Sequence, residues 1–359
     1  MRTSFLSLTC VLVMIPHGLF AANYVQHNLI SNIPGMADRT DANLVNPWGI
    51  VHSAGSPWWV NDNGTGLSEL FNGAGQAFPL ASPIVVKVPP AGSSTPTGIV
   101  FNGTSDFTLA TGKPAVFIFV TEDGTVSGWN PGVDASNAIL KVPNTTDAVY
   151  KGAALGQNGG ANLLYVANFR GGKIDVFDKD FNPVSLGTGA FTDGAIPAGF
   201  APFNVLNING KLFVSFAKQD AAKHDDVAGA KHGYVDAFDM AGNLLMRLEH
   251  GPWMNSPWGM TMAPAGFGKF SNQLLIGMFG SGNIIAFDPE SGKVRGHING
   301  PHGPLTINGL WGIGFGNDGN AGPSTTLFFA AGLNDEADGL FGTITNKEEG
   351  KDDRGDQDE

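Results

Sequence analysis

Short runs of β-branched and aromatic residues recur along the whole chain, and Gly, Asn and Asp fill the gaps between them. The stretch NLLYVANF (Asn162 to Phe169) is followed by RGGK and then IDVFD. NQLLIGMF (Asn272 to Phe279) is followed by GSGN and then IIAFD. KLFVSFAK (Lys211 to Lys218) leads through a longer insertion to GYVDAFD, and AVFIFV (Ala115 to Val120) through TEDGT to VSGW. Each is a strand, a tight polar turn and a second strand, the pattern of a β-hairpin. No long apolar run repeats at 3.6 residues, so few helices are expected.

The hairpins sit within a larger repeat. NPWGIVHSA at Asn46, SPWGMTMAP at Ser256 and GLWGIGFGN at Gly309 are three copies of one segment. TPTGIVFNG at Thr95, VYKGAALGQ at Val149 and APFNVLNING at Ala201 are weaker ones. With Pro47, Pro96, Lys151, Pro202, Pro257 and Leu310 taken as equivalent, the spacings are 49, 55, 51, 55 and 53 residues. About 50 residues holding four short strands make one propeller blade. The expected fold is therefore all-β: a six-bladed β-propeller of four-stranded blades. The segment YVQHNLISNIPG, which has no partner strands of its own, is expected to supply the outer strand of the sixth blade and close the ring.

Within each copy, Gly49, Gly98, Gly259 and Gly312 are expected where the inner strands crowd around the channel. Trp48, Trp258 and Trp311 should pack between blades near the channel mouth, with stacking on a ligand as their second reading. Strand order then puts two sets of loops on one face: the hairpins between strands 2 and 3, and the links between blades. That face is where a site is expected.

Most of the clustered polar chemistry falls in those loops. Asp62 lies in the first hairpin. The fourth hairpin is much the longest and carries Asp220, His224, Asp225, Asp226 and His232, with Lys218, Lys223 and Lys231 among them. His224, Asp225 and Asp226 are candidate ligands for a divalent metal, or members of a salt-bridged surface loop. Asn334, Asp335 and Glu336 in the sixth hairpin are oxygen-rich and suit a cation such as Ca²⁺. His250 and His302 occupy matching HGP sequences in adjacent links, and are either loop caps or a pair at the channel mouth. The candidate ligand-binding set is thus His250, His302, Trp48, Trp258, Trp311 and Asp62. No phosphate loop, nucleophile elbow or HExxH sequence is present, so no catalytic residue is assigned.

Composition refines this picture. The 359 residues include 51 glycines and carry a net charge of −12, with no basic stripe, which argues against nucleic acid and anionic membranes as partners. One cysteine, Cys10, lies in an apolar N-terminal run behind Arg2 that ends at Ala21-Ala22. Residues 1–22 read as a secretory signal peptide, 23–345 as the propeller and 346–359 as an acidic disordered tail. The protein is then secreted or periplasmic and has no membrane span.

The stretches NLVNPWGI, TEDGTVSGWNPG, KQDAAKHDDVAGA, GYVDAFD, SPWGM and NDEADGLFG together resemble a family of secreted bacterial propellers found alongside exosortase-sorted (PEP-CTERM) proteins. That resemblance implies fold and secretion but no reaction. More distantly the chain is similar to NHL-repeat and gluconolactonase-like propellers, the latter implying a metal in the channel. Three functions follow: a propeller that presents its loop face to a protein, polysaccharide or small ligand; a metal-assisted hydrolase or lyase at the channel mouth; or a structural extracellular or envelope component with no small-molecule site.

Overall fold

The computed structural model describes residues 24–144 and 146–347. Six four-stranded sheets follow one another in chain order. Their innermost strands are Pro47–Val51, Pro96–Phe101, Tyr150–Asn158, Phe200–Ile208, Pro257–Met262 and Leu310–Phe315. A single 3₁₀ turn, Gly268–Phe270, is the only helical element among the described residues. The proposed signal segment 1–22, and the tail from residue 348, lie outside them.

The ring closes as the sequence suggests. Tyr24–Ser31 pairs antiparallel with Asp338–Asn346, from Tyr24 opposite Asn346 to Ser31 opposite Leu340. Blade 6 is therefore built from both ends of the chain. Arg39–Thr40 adds a short parallel strand outside it. Asn346, assigned above to the tail, is the last residue of that closing pair. Tyr24 anchors the seam further: its ring is fully buried and its hydroxyl donates to the Phe267 carbonyl at 2.7 Å.

The inner strands are buried on both faces because each blade is sandwiched between two others, whereas outer strands such as Leu244–Arg247 alternate with exposed positions. Trp58–Asp62 shows how this works. Trp59 turns toward blade 2, where it meets Phe117 and Trp129. Its neighbours Trp58 and Val60 turn the other way, against Phe328 and Phe341 of blade 6. Strand alternation makes this possible, and burying such large rings supplies the main drive for stacking blades.

Close approach of the inner strands explains the glycines. A Cβ on Gly49 would lie 2.4 Å from the Thr97 carbonyl oxygen, one on Gly259 2.3 Å from that of Trp311, and one on Gly312 2.5 Å from that of Trp48. Gly152 occupies the same place in blade 3, since Tyr150 faces Asn168 as Pro47 faces Asp62. The third copy therefore begins one residue earlier than the sequence comparison placed it. Tyr150, not Lys151, is the counterpart of Pro47. Lys151 is instead the counterpart of Trp48. In blade 4 the glycine is replaced by Asn204, whose amide donates to the Trp258 carbonyl at 2.8 Å.

The long fourth hairpin folds back over the link to blade 5. His232 bridges to Asn255, and the Ser256 amide donates to the His232 carbonyl. Hairpins and links thus share one face.

Candidate functional site at the channel mouth

One position in each inner strand points into the channel at this face: Trp48, Thr97, Lys151, Phe203, Trp258 and Trp311. Four of these side chains, Trp48, Phe203, Trp258 and Trp311, pack with Phe169 and Phe279 in the channel. Trp48 and Trp311 stack at 3.5 Å and 19°, and Phe279 stacks on the other face of Trp311 at 3.9 Å. Trp258 meets both indoles edge-on, at 5.8 and 5.6 Å. The packing role expected of the three tryptophans is the one seen, since all are almost wholly buried. Trp311 is covered on both faces, by Trp48 and Phe279.

Above this plug lies a recess of about 360 Å³, lined by Trp48, Glu122, Lys151, His224, Asp225, Asp226, Phe279, Trp311 and Glu336. Its opposite number, at the other end of the channel, is lined by aliphatic and aromatic residues with a few neutral amides, Asn204, Asn207 and Asn209, and has His52 as its one titratable side chain. The chemistry is therefore concentrated at the hairpin face.

Lys151 organises the recess. Its side chain is 1% exposed, and its ammonium donates to Glu122 Oε1 and, at 3.2 Å, to Asp225 Oδ1. It also lies 5.0 Å from the centre of the Trp48 ring and 5.8 Å from that of Phe169. Burial alone would lower the lysine pKa; the two carboxylates outweigh it and raise it above the usual value, so Lys151 is a fixed cation and not a nucleophilic amine. Burial pushes Asp225 up, but the Lys151 charge and His224, whose Nδ1 lies 2.9 Å away, bring it below the normal carboxylate range.

Glu336 and Asp226 behave differently. Burial, reinforced by the Glu122 charge, raises Glu336 to about 7, against weaker opposition from Lys151 and Asn46. Asp226 is also raised, mainly by burial, and its Oδ2 has no hydrogen-bond partner among the described residues. Trp48 Nε1, also buried, is likewise unpartnered, while the Ser256 hydroxyl faces Asp226 and partly offsets the rise that burial causes. An amide chain ties the carboxylates to the plug: Trp311 Nε1 donates to Asn46 Oδ1, Asn46 Nδ2 to Glu336 Oε2 at 2.9 Å, and Asn63 Nδ2 to Glu122 Oε2 at 2.9 Å.

Glu336 reaches the recess through a strained turn. Asn334, Asp335 and Glu336 have φ of 53°, 52° and 68°, three successive non-glycine residues in the left-handed region. Such residues cost on the order of 1 kcal/mol each and persist where the surroundings impose them. The turn points Glu336 inward and leaves Asn334 and Asp335 exposed to solvent, with Asn334 bonded to Asp338. The sixth hairpin therefore contributes one candidate ligand to the recess, not three.

Of the fourth hairpin, His224, Asp225 and Asp226 all line the recess. Asp220 instead caps its own loop, accepting the His224 amide at 2.8 Å, and His232 holds the Val227 carbonyl. Glu122, His224 and Asp225 place possible ligand atoms within 4.8 Å of one another. The Lys151 ammonium, however, already sits between Glu122 and Asp225, where its charge opposes a second cation. The donor set as arranged does not fit a channel metal.

The remaining sequence candidates fall elsewhere. His250 is exposed and stacks on Tyr234 at 4.3 Å and 6°, and His302 is exposed in the link before blade 6. Neither lines the recess. Asp62 is fully buried beside Glu69 in blade 1, also away from it. Sequence reasoning missed Lys151, Glu122, Asn46 and Asn63. Glu122 was visible as one of the two acidic residues of TEDGT, whereas Lys151 was hidden by the misaligned third copy.

Fold and mouth together define a six-bladed propeller whose channel is plugged by aromatic rings and roofed by carboxylates. The chain belongs to one family with the uncharacterized protein R648 of Acanthamoeba polyphaga mimivirus, 33% identical over 331 residues that span 88% of this chain and 78% of that protein. Protein L690 of the same virus is 30% identical over 341 residues, 90% of this chain and 86% of its own length. No family model matches. Among solved structures, a streptogramin B lyase aligns with a TM-score of 0.53 at 13% identity, covering 90% of this chain and 98% of its own. The soluble aldose sugar dehydrogenase of Escherichia coli, in its apo form, aligns with a TM-score of 0.52 at 13% identity, covering 90% and 100%. These likenesses are to the propeller fold alone.

Proposed function

We propose that this is a binding propeller whose channel mouth takes a small, positively charged or hydrogen-bond-donating ligand. The observation that carries it is the surplus of acceptors in the recess. Lys151 pairs with both Glu122 and Asp225 and offsets one of their two charges, while Glu336 and Asp226 line the same space with no ion pair of their own. An ammonium or polyhydroxyl group there would donate charge-assisted hydrogen bonds to groups held rigidly by Asn46 and by buried strand ends. The recess volume suits a molecule of modest size, and the plug prevents passage through the channel.

Calorimetric titration with a panel of small amines and polyols tests this reading. Binding by at least one, weakened about 10- to 100-fold in Glu336→Gln, supports it. Binding that is indifferent to Glu336→Gln and Asp226→Asn together, or absent for every probe, refutes it.

A second reading rests on one specific observation, the separation of carboxyl pKa values within the recess. Glu336 titrates near 7, while Asp225 is held below the carboxylate range. Such a pair can act as general acid and general base, which suits a hydrolase or lyase. Residues 1–22 further suggest export, and cell fractionation with N-terminal sequencing of the product checks it.

A further inference from the structure

The fourth strand of blade 3 stops short. Its counterparts run from three residues, Val85–Lys87 in blade 1, to eight, Tyr24–Ser31 in blade 6. In blade 3 it is only Pro183–Val184, which faces Phe177 and Val176. Beyond Val184 the chain leaves the edge and turns through Gly187 and Gly189, at φ of 100° and 87°.

The third strand of that blade, Lys173–Phe177, keeps an open outer edge as a result. The Asp178 amide donates to the Asn182 carbonyl, so Asp178, Val176 and Ile174, alternate residues, turn their backbone groups outward. In blades 4 and 5 the matching residue, four before the Asp that ends the motif, has its outward carbonyl filled. The Leu248 amide donates to the Val235 carbonyl, and the Ile298 amide to that of Ile284, each at 3.0 Å. Ile174 has no such partner among the described residues.

A groove of about 690 Å³ lies along this edge. On its blade 4 side, Leu186 and Ala190 pack against the apolar cluster that holds Ile174, Val176 and Phe191. Its other side is formed by Val142, Pro143 and Tyr150, with Lys141 and Lys173 as its cations. Lys173 pairs with Asp175 at 2.8 Å. Lys141 lies over the Phe181 ring, 5.5 Å from its centre, and forms no ion pair among the described residues. The groove shares no lining residue with the channel-mouth recess.

An open strand edge is a template for another strand. We infer that this groove takes an extended peptide segment of a partner protein as the missing part of the fourth strand, with an apolar residue opposite Ile174 and an acidic one next to it. Running antiparallel, the apolar residue donates its amide to the Ile174 carbonyl and packs toward Leu186 and Phe191. The next residue falls opposite Lys173 and turns to the side of Lys141, where a carboxylate is favoured. Blade 4 carries this order in its own Leu248 and Glu249.

Fluorescence anisotropy of full-length protein with the blocked, fluorescein-labelled hexapeptide Ser-Thr-Leu-Glu-Val-Thr tests this. Saturable binding is expected. N-methylation of the leucine removes the amide donor and keeps the side chain, and should weaken binding about 5- to 10-fold. Glutamine in place of the peptide glutamate, and Lys141→Glu in the protein, should each weaken it about 5-fold. Glu336→Gln should leave it unchanged, and decanoate should displace the labelled peptide far less well than unlabelled peptide does. The peptide controls use unaltered protein, so they decide the matter even if Lys141→Glu fails to fold. Absence of saturable binding overturns the inference, as does equal affinity for the N-methylated peptide. Loss of binding in Glu336→Gln would move the peptide to the channel mouth, and efficient displacement by decanoate would make the groove a pocket for apolar acids; either result also overturns it.

Discussion

Lys151 holds in blade 3 the place that Trp48 holds in blade 1, and its ammonium lies 5.0 Å from the Trp48 ring. One strand position thus supplies both the apolar plug and the only cation of the recess. Lys151→Met should remove the charge while keeping the stem's packing. Glu122 would be left buried without its partner, a loss of about 3 kcal/mol. Chemical denaturation measures it, and the double variant with Glu122→Gln should recover most of the loss.

Trp311 lies between Trp48 and Phe279 and is 1% exposed. Trp311→Ala should cost about 3–5 kcal/mol through lost contacts and the cavity left behind. It also frees Asn46 from its indole donor, so any ligand affinity measured at the mouth should fall with stability.

Gly312 tests the crowding of the inner strands. In Gly312→Ala the new Cβ would meet the Trp48 carbonyl oxygen at 2.5 Å, a backbone atom that cannot swing aside. A loss of about 1–3 kcal/mol is expected. Gly210→Ala, with no neighbour near its Cβ but a φ of 82°, separates backbone strain from collision. It should cost less.

Three carboxyls make stability depend on pH in an unusual sense. Glu69, Asp236 and Glu336 are each raised to about 7, chiefly by burial. The folded protein then holds more protons than the unfolded chain between the ordinary carboxylate range and pH 7. Their contribution is complete below the unfolded pKa and is lost as pH rises through 7. The protein should therefore melt several degrees lower at pH 8 than at pH 5, and Glu69→Gln should flatten the slope.

The repeat was legible because its determinants are local: paired strands, polar turns and glycines at fixed spacing. The face was legible from strand order alone, and that order brought His224, Asp225, Asp226 and Glu336 together. The rest required coordinates. In copy 3, Tyr150 and Lys151 replace Pro and Trp, and a one-residue slip hid the lysine's inward position. Asn334 and Asp335 looked like ligands beside Glu336, yet the left-handed turn points only the last of them inward. The two HGP histidines match in sequence, but His250 is drawn outward onto Tyr234.

The pairing of Tyr24 with Asn346 also governs how the molecule can be made. The first strand to be synthesised must wait for nearly the whole chain before its partner exists. Five wedges can stack locally while it waits, but the last one stays incomplete. Assembly should thus end on a single long-range joining event, the slowest kind a chain of this topology can perform.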